Sequence, residues 1–364
     1  MSEKVKGSVK TSGALIDHSG WTLWTFHDMN CKIAHIEYYL PEKIVTNREL
    51  LKENPGWDID GLLPKTGVLK RHVVSSSETA LDLAVHACRK LFDKAHISAG
   101  SIDAVLFCTQ SPDYIMPGNA FVLHNKLDLP ERALAFDFNL ACSGYVYGLA
   151  MAKAFFNTYP IKNLLFVTAD TYSKYIHPRD KSVRLLFGDG AAATLMQSSP
   201  TGIIDVQWGT YGKGHEHFMI PAGGCRLPKS ESTRALTTDK SGNARTPENI
   251  AMEGFALVSL ARGKVLGQIK ELLNTNGLST EDIDLFVFHQ ASQLVLDSLQ
   301  KGLDLPPKKV FNNLANIGNT VSSSLPIALK DALTEKRIKP GDKIVLSGFG
   351  VGFSWASALI EWAQ

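Results

Sequence analysis

The chain has 364 residues, 44% hydrophobic and 20% charged, enough to bury more than one core and longer than the usual single domain. Its 38 basic and 36 acidic residues leave a formal net charge of +2, and no concentrated basic run with interleaved aromatics argues for nucleic acid. No stretch approaches about 20 uninterrupted apolar residues, which argues against a membrane span, and the five cysteines (Cys31, Cys88, Cys108, Cys142 and Cys225) lack CxxC spacing, which argues against a disulfide framework or metal cluster and for a reducing, cytoplasmic compartment.

Residues 1–31 are the least interpretable part. They contain Trp21-Thr-Leu-Trp-Thr-Phe26, which alternates too weakly for a strand assignment, and lack the basic start and long apolar centre of a signal peptide. An extra strand, a partner-binding arm and an appended remnant all stay open. The first amphipathic helix is expected over Ala80–Phe92, followed by Ile97-Ser-Ala-Gly-Ser-Ile-Asp-Ala-Val-Leu-Phe-Cys108, whose apolar end reads as a buried strand. A further strand, Ala133-Leu-Ala-Phe-Asp137, leads through Leu140-Ala-Cys-Ser-Gly144 into a helical stretch, Gly144–Phe156.

Cys142 thus sits at a strand-to-helix turn. The unpaired amides and positive dipole end of the helix are expected to lower its thiol pKa and supply thiolate near neutral pH, which makes it a nucleophile candidate. A buried core cysteine is the competing reading. Between the halves, Tyr211-Gly-Lys-Gly214 and the polar stretch Pro228–Glu248 read as a long loop, either near a substrate entrance or a solvated insertion.

The second half repeats the pattern. A helical stretch over Val258–Leu273 precedes Leu278-Ser-Thr-Glu-Asp-Ile-Asp-Leu-Phe-Val-Phe-His289, which aligns in register with Ile97–Cys108. His289 therefore stands at a strand exit, where active sites of α/β proteins gather. Some thirty residues downstream of each Ile-Asp-strand unit comes a second turn before a helix, one carrying Cys142 and the other Asn319 ahead of Val321–Leu329. A repeat on this scale implies two similar halves, 32–200 and 201–364, whose pseudo-twofold relation would bring Cys142 and Asn319 to one central point. Singly, His289 reads equally as structural and Asn319 as a cap or turn residue.

From Lys32 to Ala363 the chain resembles the β-ketoacyl-acyl-carrier-protein synthase III family of the thiolase superfamily. The resemblance rests on the three segments above together with Tyr39-Leu-Pro-Glu-Lys-Ile-Val-Thr-Asn47, Lys65-Thr-Gly-Val-Leu-Lys-Arg-His72, Leu186-Phe-Gly-Asp-Gly-Ala191, Arg337-Ile-Lys-Pro-Gly341 and Gly348-Phe-Gly-Val-Gly-Phe-Ser-Trp355. It implies a thiolase-like five-layered α-β-α-β-α fold of two duplicated halves, a homodimer, and substrates delivered as coenzyme A or phosphopantetheine thioesters without a metal or other cofactor. It further implies that Cys142 takes an acyl group from acyl-CoA or acyl-carrier protein, with the backbone N–H groups of Cys142 and Val351 as oxyanion hole. His289 and Asn319 would donate to the carbonyl oxygen of a malonyl thioester carried on acyl-carrier protein, so that loss of CO2 yields an enolate that attacks the acyl group. Two other outcomes stay open: transfer of the acyl group to an alcohol or amine, and a non-catalytic partner subunit.

Departures from the family pattern fall around the substrate. Where the family has Trp-Ile-Val-Thr-Arg-Thr-Gly, with Trp and Arg gripping the adenine end of coenzyme A, this chain has Gly61-Leu-Leu-Pro-Lys-Thr-Gly67, and Lys65 does not replace a planar guanidinium. Ser292 stands for an Asn that contacts pantetheine, Ser259 and Leu294 stand for carrier-docking basic residues, Val351 replaces the middle glycine of a three-Gly run, and Gly254 is expected to contact substrate. Met116 occupies a segment that in the family closes the partner's acyl tunnel with an aromatic ring; an unbranched side chain there implies groups longer than acetyl. Fatty-acid and specialised pathways, such as polyketide biosynthesis, both stay open.

Overall fold

The computed structural model describes residues 30–363, so the Trp21–Phe26 segment lies outside the described residues. The first strand, β1 (Asn30–Tyr39), starts two residues ahead of the expected boundary at Lys32. The other strands of the two main sheets are β2 (Ala104–Cys108), β3 (Leu134–Phe138), β4 (Asn163–Asp170), β5 (Gly190–Ser199), β6 (Ile203–Thr210), β7 (Leu285–Phe288), β8 (Lys343–Gly350) and β9 (Ser354–Glu361). The first sheet runs β3-β2-β4-β5-β1 and the second β7-β8-β9-β6. Both have parallel strands at one end (β3, β2 and β4; β7 and β8) and antiparallel strands at the other. A parallel bridge from Phe286 to Val310 occupies the place of β3 in the second sheet. The two halves therefore repeat strand order and sense alike.

Continuous apolar runs form the parallel strands because both of their faces are covered. Along β2, Leu106 faces the core between the sheets whereas Val105 and Phe107 face the outer helix, the alternation a pleated strand imposes. That outer helix is α1 (Ala80–Ala95), started by a capping box in which Thr79 and Asp82 satisfy each other's backbone amides. Two helices fill the space between the sheets, α2 (Gly144–Thr158) and α6 (Ser324–Thr334), packed on Leu164, Phe166, Val287 and Leu346. Outside the second sheet lie α3 (Gly254–Leu260), α4 (Leu266–Thr275) and α5 (Gln293–Gly302). The layers are helix, sheet, helix, sheet, helix.

Two expected elements differ in detail. The Val258–Leu273 helix is part of a longer rod, α3 and α4 joined through a π-turn at Ala261–Val265, a feature that widens a helix locally and often marks a binding surface. The helix expected from Val321 begins as a 3-10 turn, Val321–Ser323, and becomes α-helical only at Ser324. The cause is local: the Val321 N–H donates to Asn319 Oδ1 at 2.9 Å and Val321 has φ 55°, a left-handed conformation that a β-branched residue adopts only under constraint.

Candidate active site

The N-terminal ends of α2 and α6, the two central helices, converge with the exit of β7 on one cavity of about 530 Å³. Cys142, His289 and Asn319 all line it, and each is nearly inaccessible, at 3%, 1% and 4% exposure. Cys142 lies two residues before α2, and the glycine-rich end of β8 crosses over it. A Cβ on Gly348 would come within 2.4 Å of the Cys142 carbonyl oxygen, and one on Gly350 within 2.8 Å of its sulfur. Glycine at both positions lets the end of the strand close on the thiol.

The backbone N–H groups of Cys142 and Val351 lie toward the sulfur and favour its thiolate. Valine is tolerated at 351 because the left-handed residues of the turn after β8 are Gly352, at φ 73°, and Phe353, at φ 48°, and because the Val351 side chain lines a second cavity of about 380 Å³. Phe218 lines both cavities and packs against Tyr172 and Phe187.

The expected low thiol pKa is not what the site produces. Burial, reinforced by Asp170, pushes the Cys142 thiol up to about 12, against the lowering effect of the two amides. Asp170 itself is fully buried and pushed up to about 7 by burial, although it accepts the Gln110 N–H at 2.8 Å and both the N–H and hydroxyl of Ser322. The helix-end argument fails here because desolvation of the whole side chain outweighs a few partial charges. Alkylation of Cys142 by iodoacetamide is therefore expected to quicken about tenfold per pH unit through the neutral and mildly alkaline range, since only the thiolate reacts. A rate that levels off near neutral pH would show thiolate already present.

His289 is held through Nδ1, 2.5 Å from Ser324 Oγ, with the Phe349 ring edge-on at 5.9 Å. Burial lowers its pKa to about 3, so the imidazole is neutral. Asn319 spends Oδ1 on the Val321 N–H, which leaves its Nδ2 as the donor for the cavity.

Lys65, Gly254 and Ser292 also line this cavity. Lys65 ends the helix Ile59–Thr66, Gly254 opens α3, and the Ser292 hydroxyl caps α5 by accepting the Val295 N–H at 3.4 Å. Met116 does not join them: it is 80% exposed and lines no part of this cavity in its own chain. The stretch Pro228–Glu248 is folded rather than loose. Thr237–Thr238 pairs with Ala244–Arg245, Arg245 binds the buried Asp180 at 2.7 Å, and Asn243 reaches the cavity wall.

Three residues of the mouth escaped the sequence reading: Lys181, Arg262 and Phe255, the last 88% exposed. Arg262 follows Gly254 and Val258 at intervals of four, so the helical period carried a signal for it. Lys181 and Phe255 had no comparable pattern. Leu294 lines the cavity and Ser259 is exposed, so cationic charge at the mouth comes from other positions than the expected ones. Among the described residues no cluster of three or more His, Cys, Asp or Glu is placed to hold a metal, and no helix is long and apolar enough to cross a membrane.

Comparison with known proteins gives a consistent picture. The family model described as 3-oxoacyl-[acyl-carrier-protein (ACP)] synthase III matches residues 136–212, and that of the synthase III C terminal matches residues 273–362. The chain is 36% identical over 328 residues to a beta-ketoacyl-[acyl-carrier-protein] synthase III of Caldanaerobacter subterraneus subsp. tengcongensis, covering 90% of this chain and 96% of the relative. A crystal structure of a 3-oxoacyl-(acyl-carrier-protein) synthase III superimposes with TM-score 0.89 at 42% identity, over 92% of this chain and 100% of the other. The corresponding synthase of Burkholderia xenovorans LB400 gives TM-score 0.84 at 31% identity, over 92% and 94%.

Proposed function

The chain belongs to the 3-oxoacyl-[acyl-carrier-protein] synthase III family, and from that membership and the site geometry we propose that it condenses an acyl thioester with malonyl-acyl-carrier protein. The observation that carries the reading is the meeting of Cys142, His289 and Asn319 on one largely apolar cavity, with two backbone amides on the sulfur. In the first half-reaction Cys142 Sγ attacks the acyl carbonyl, the bond to the donor sulfur breaks, and the proton of Cys142 leaves with the departing thiol. The Cys142 and Val351 amides receive the oxyanion, a device worth about 3–4 kcal/mol per donor. Burial disfavours thiolate in the empty site, and the two amides offset part of that cost.

In the second half-reaction the malonyl thioester places its carbonyl oxygen between His289 and Asn319 Nδ2. Loss of CO2 leaves an enolate on that oxygen, and its carbon attacks the acyl-Cys142 carbonyl. The C–S bond breaks, Cys142 regains a proton, and the β-ketoacyl thioester departs. Neutral imidazole suits this step, since a donor N–H is needed and a full charge is not. The scheme uses coenzyme A or phosphopantetheine thioesters as substrates and no further cofactor. Lys65, Lys181 and Arg262 at the mouth match the phosphates of such carriers, and Gly254 and Ser292 border the pantetheine path.

Wild-type protein is expected to gain one acyl mass from a panel of acyl thioesters and then to release CO2 and a β-ketoacyl product with malonyl-acyl-carrier protein. Loading without CO2 release from any malonyl carrier would favour acyl transfer to an alcohol or amine instead. A cytoplasmic location agrees with five free cysteines, and fatty-acid biosynthesis is the pathway to which such a product leads.

The acyl pocket is proposed to be completed by a second copy of the chain. Tyr114, Ile115, Met116 and Phe121 form an exposed apolar patch of the kind that marks an interface. A homodimer by sedimentation is expected, and Met116→Trp should shorten the longest acyl group accepted by Cys142 while leaving the melting temperature unchanged. A monomer, or an unchanged acyl-length profile, would remove Met116 from the pocket.

A further inference from the structure

His289 is held from behind by a residue 35 positions away. Ser324 is buried at the first turn of α6, and its Oγ lies 2.5 Å from His289 Nδ1. The Gln290 N–H points at the same oxygen from 3.4 Å. That amide can only donate, so it occupies a lone pair of the hydroxyl and leaves its proton to be placed. Among the described residues Ser324 Oγ has no further partner, so His289 Nδ1 is the acceptor at hand. In the opposite tautomer Nδ1–H would fill the second lone pair and leave the buried hydroxyl proton with no acceptor, the costlier arrangement.

From this accounting we propose that Ser324 is a positioning residue whose hydroxyl donates to Nδ1 and thereby places the imidazole proton on Nε2, the nitrogen left for the cavity. His289 is neutral in this environment, so it carries a single ring proton, and the partner of one nitrogen decides which nitrogen holds it. With the proton on Nε2 the ring donates to the malonyl thioester carbonyl beside Asn319 Nδ2. The opposite tautomer would turn a lone pair toward the oxygen on which enolate charge develops. The site then uses the same device twice: Asn319 is oriented by giving its acceptor to the Val321 N–H, and His289 by giving its acceptor to the Ser324 hydroxyl. The inference rests on the condensing reading for its consequence, and on hydrogen-bond geometry together with burial of the ring for the tautomer.

Selective ¹⁵N-histidine labelling of the resting wild-type protein reads the tautomer directly, with the His289 signals identified by their loss in His289→Ala. Nδ1 is expected to resonate as a bare acceptor and Nε2 as an N–H; the reverse pattern overturns the proposal whatever the activity. In Ser324→Ala, CO2 release from malonyl-acyl-carrier protein should fall roughly tenfold to a hundredfold, the scale of removing a partner that orients a histidine. Acyl loading of Cys142 should continue in that variant, and its His289 signals should move to a tautomer mixture. Undiminished CO2 release, or loading and release falling together, would overturn the role. Wild-type protein that shows the Nε2–H tautomer yet decarboxylates no malonyl carrier would sink the condensing reading and leave the tautomer assignment standing.

Discussion

Cys142→Ser is expected to abolish self-acylation: wild type gains the mass of one acyl group from a matched thioester and the variant gains none. The loss should exceed about a thousandfold, as when the nucleophile of an acyl-transfer enzyme is removed. A serine hydroxyl is a weak nucleophile without an adjacent base, and His289, with Nδ1 engaged by Ser324 and a proton on Nε2, offers none. The fold should survive, because the side chain is small and sits in an apolar cluster with Ala141, Tyr172 and Phe187 that a hydroxyl disturbs only locally. Acylation that persists would move the nucleophile elsewhere. Cys108 is the next thiol to test, but it donates its S–H to the Leu140 carbonyl at 3.1 Å and burial raises its pKa well above the ordinary thiol range. It also lies outside the cavity lining, so intact-mass data on the double variant should match Cys142→Ser alone.

The second large effect separates the half-reactions. In His289→Ala and Asn319→Ala, acyl loading of Cys142 should continue while CO2 release from malonyl-acyl-carrier protein falls at least about a hundredfold, the scale of losing one oxyanion donor. The two variants should differ in stability. Asn319→Ala also removes the acceptor of the Val321 N–H, which holds Val321 at φ 55°, and a net loss of about 1 kcal/mol is expected from that bond. His289→Ala frees the Ser324 hydroxyl but leaves the backbone bond from the His289 N–H to the Ser347 carbonyl intact. If both variants decarboxylate as wild type does but fail to load, the roles given to His289 and Asn319 are wrong. Single-turnover measurement of loading and of CO2 release, on the same preparations, distinguishes these results.

Much of the fold was legible because its signals are local. The apolar run of Leu285–Phe288 and that of Ala104–Cys108 each declare a strand buried on both faces, and the shared Ile-Asp before them declares the repeat. The turn residues at Cys142, Gly318 and Gly348–Gly352 are legible for the same reason, since a close backbone approach or a left-handed dihedral admits few residue types. Less legible were the long stretch Pro228–Glu248, whose anchoring to Asp180 through Arg245 joins residues 65 apart, and the mouth cations Lys181 and Arg262, which come from separate halves of the chain.

Chain order alone pointed to two repeated α/β halves, with a thiol and a carboxamide at equivalent turns and an imidazole at a strand exit, because periodicity, glycine placement and motif spacing act within a few residues. The protonation states of those groups required the assembled molecule. Desolvation of Cys142 and His289 depends on walls contributed by both halves, so a thiol at a helix end becomes a protonated one and an imidazole becomes neutral. Hydrogen-bond direction is likewise non-local: whether His289 presents a donor or a lone pair to substrate depends on a hydroxyl from α6 and an amide from the β7 exit that meet only after the two sheets have packed on the central helices.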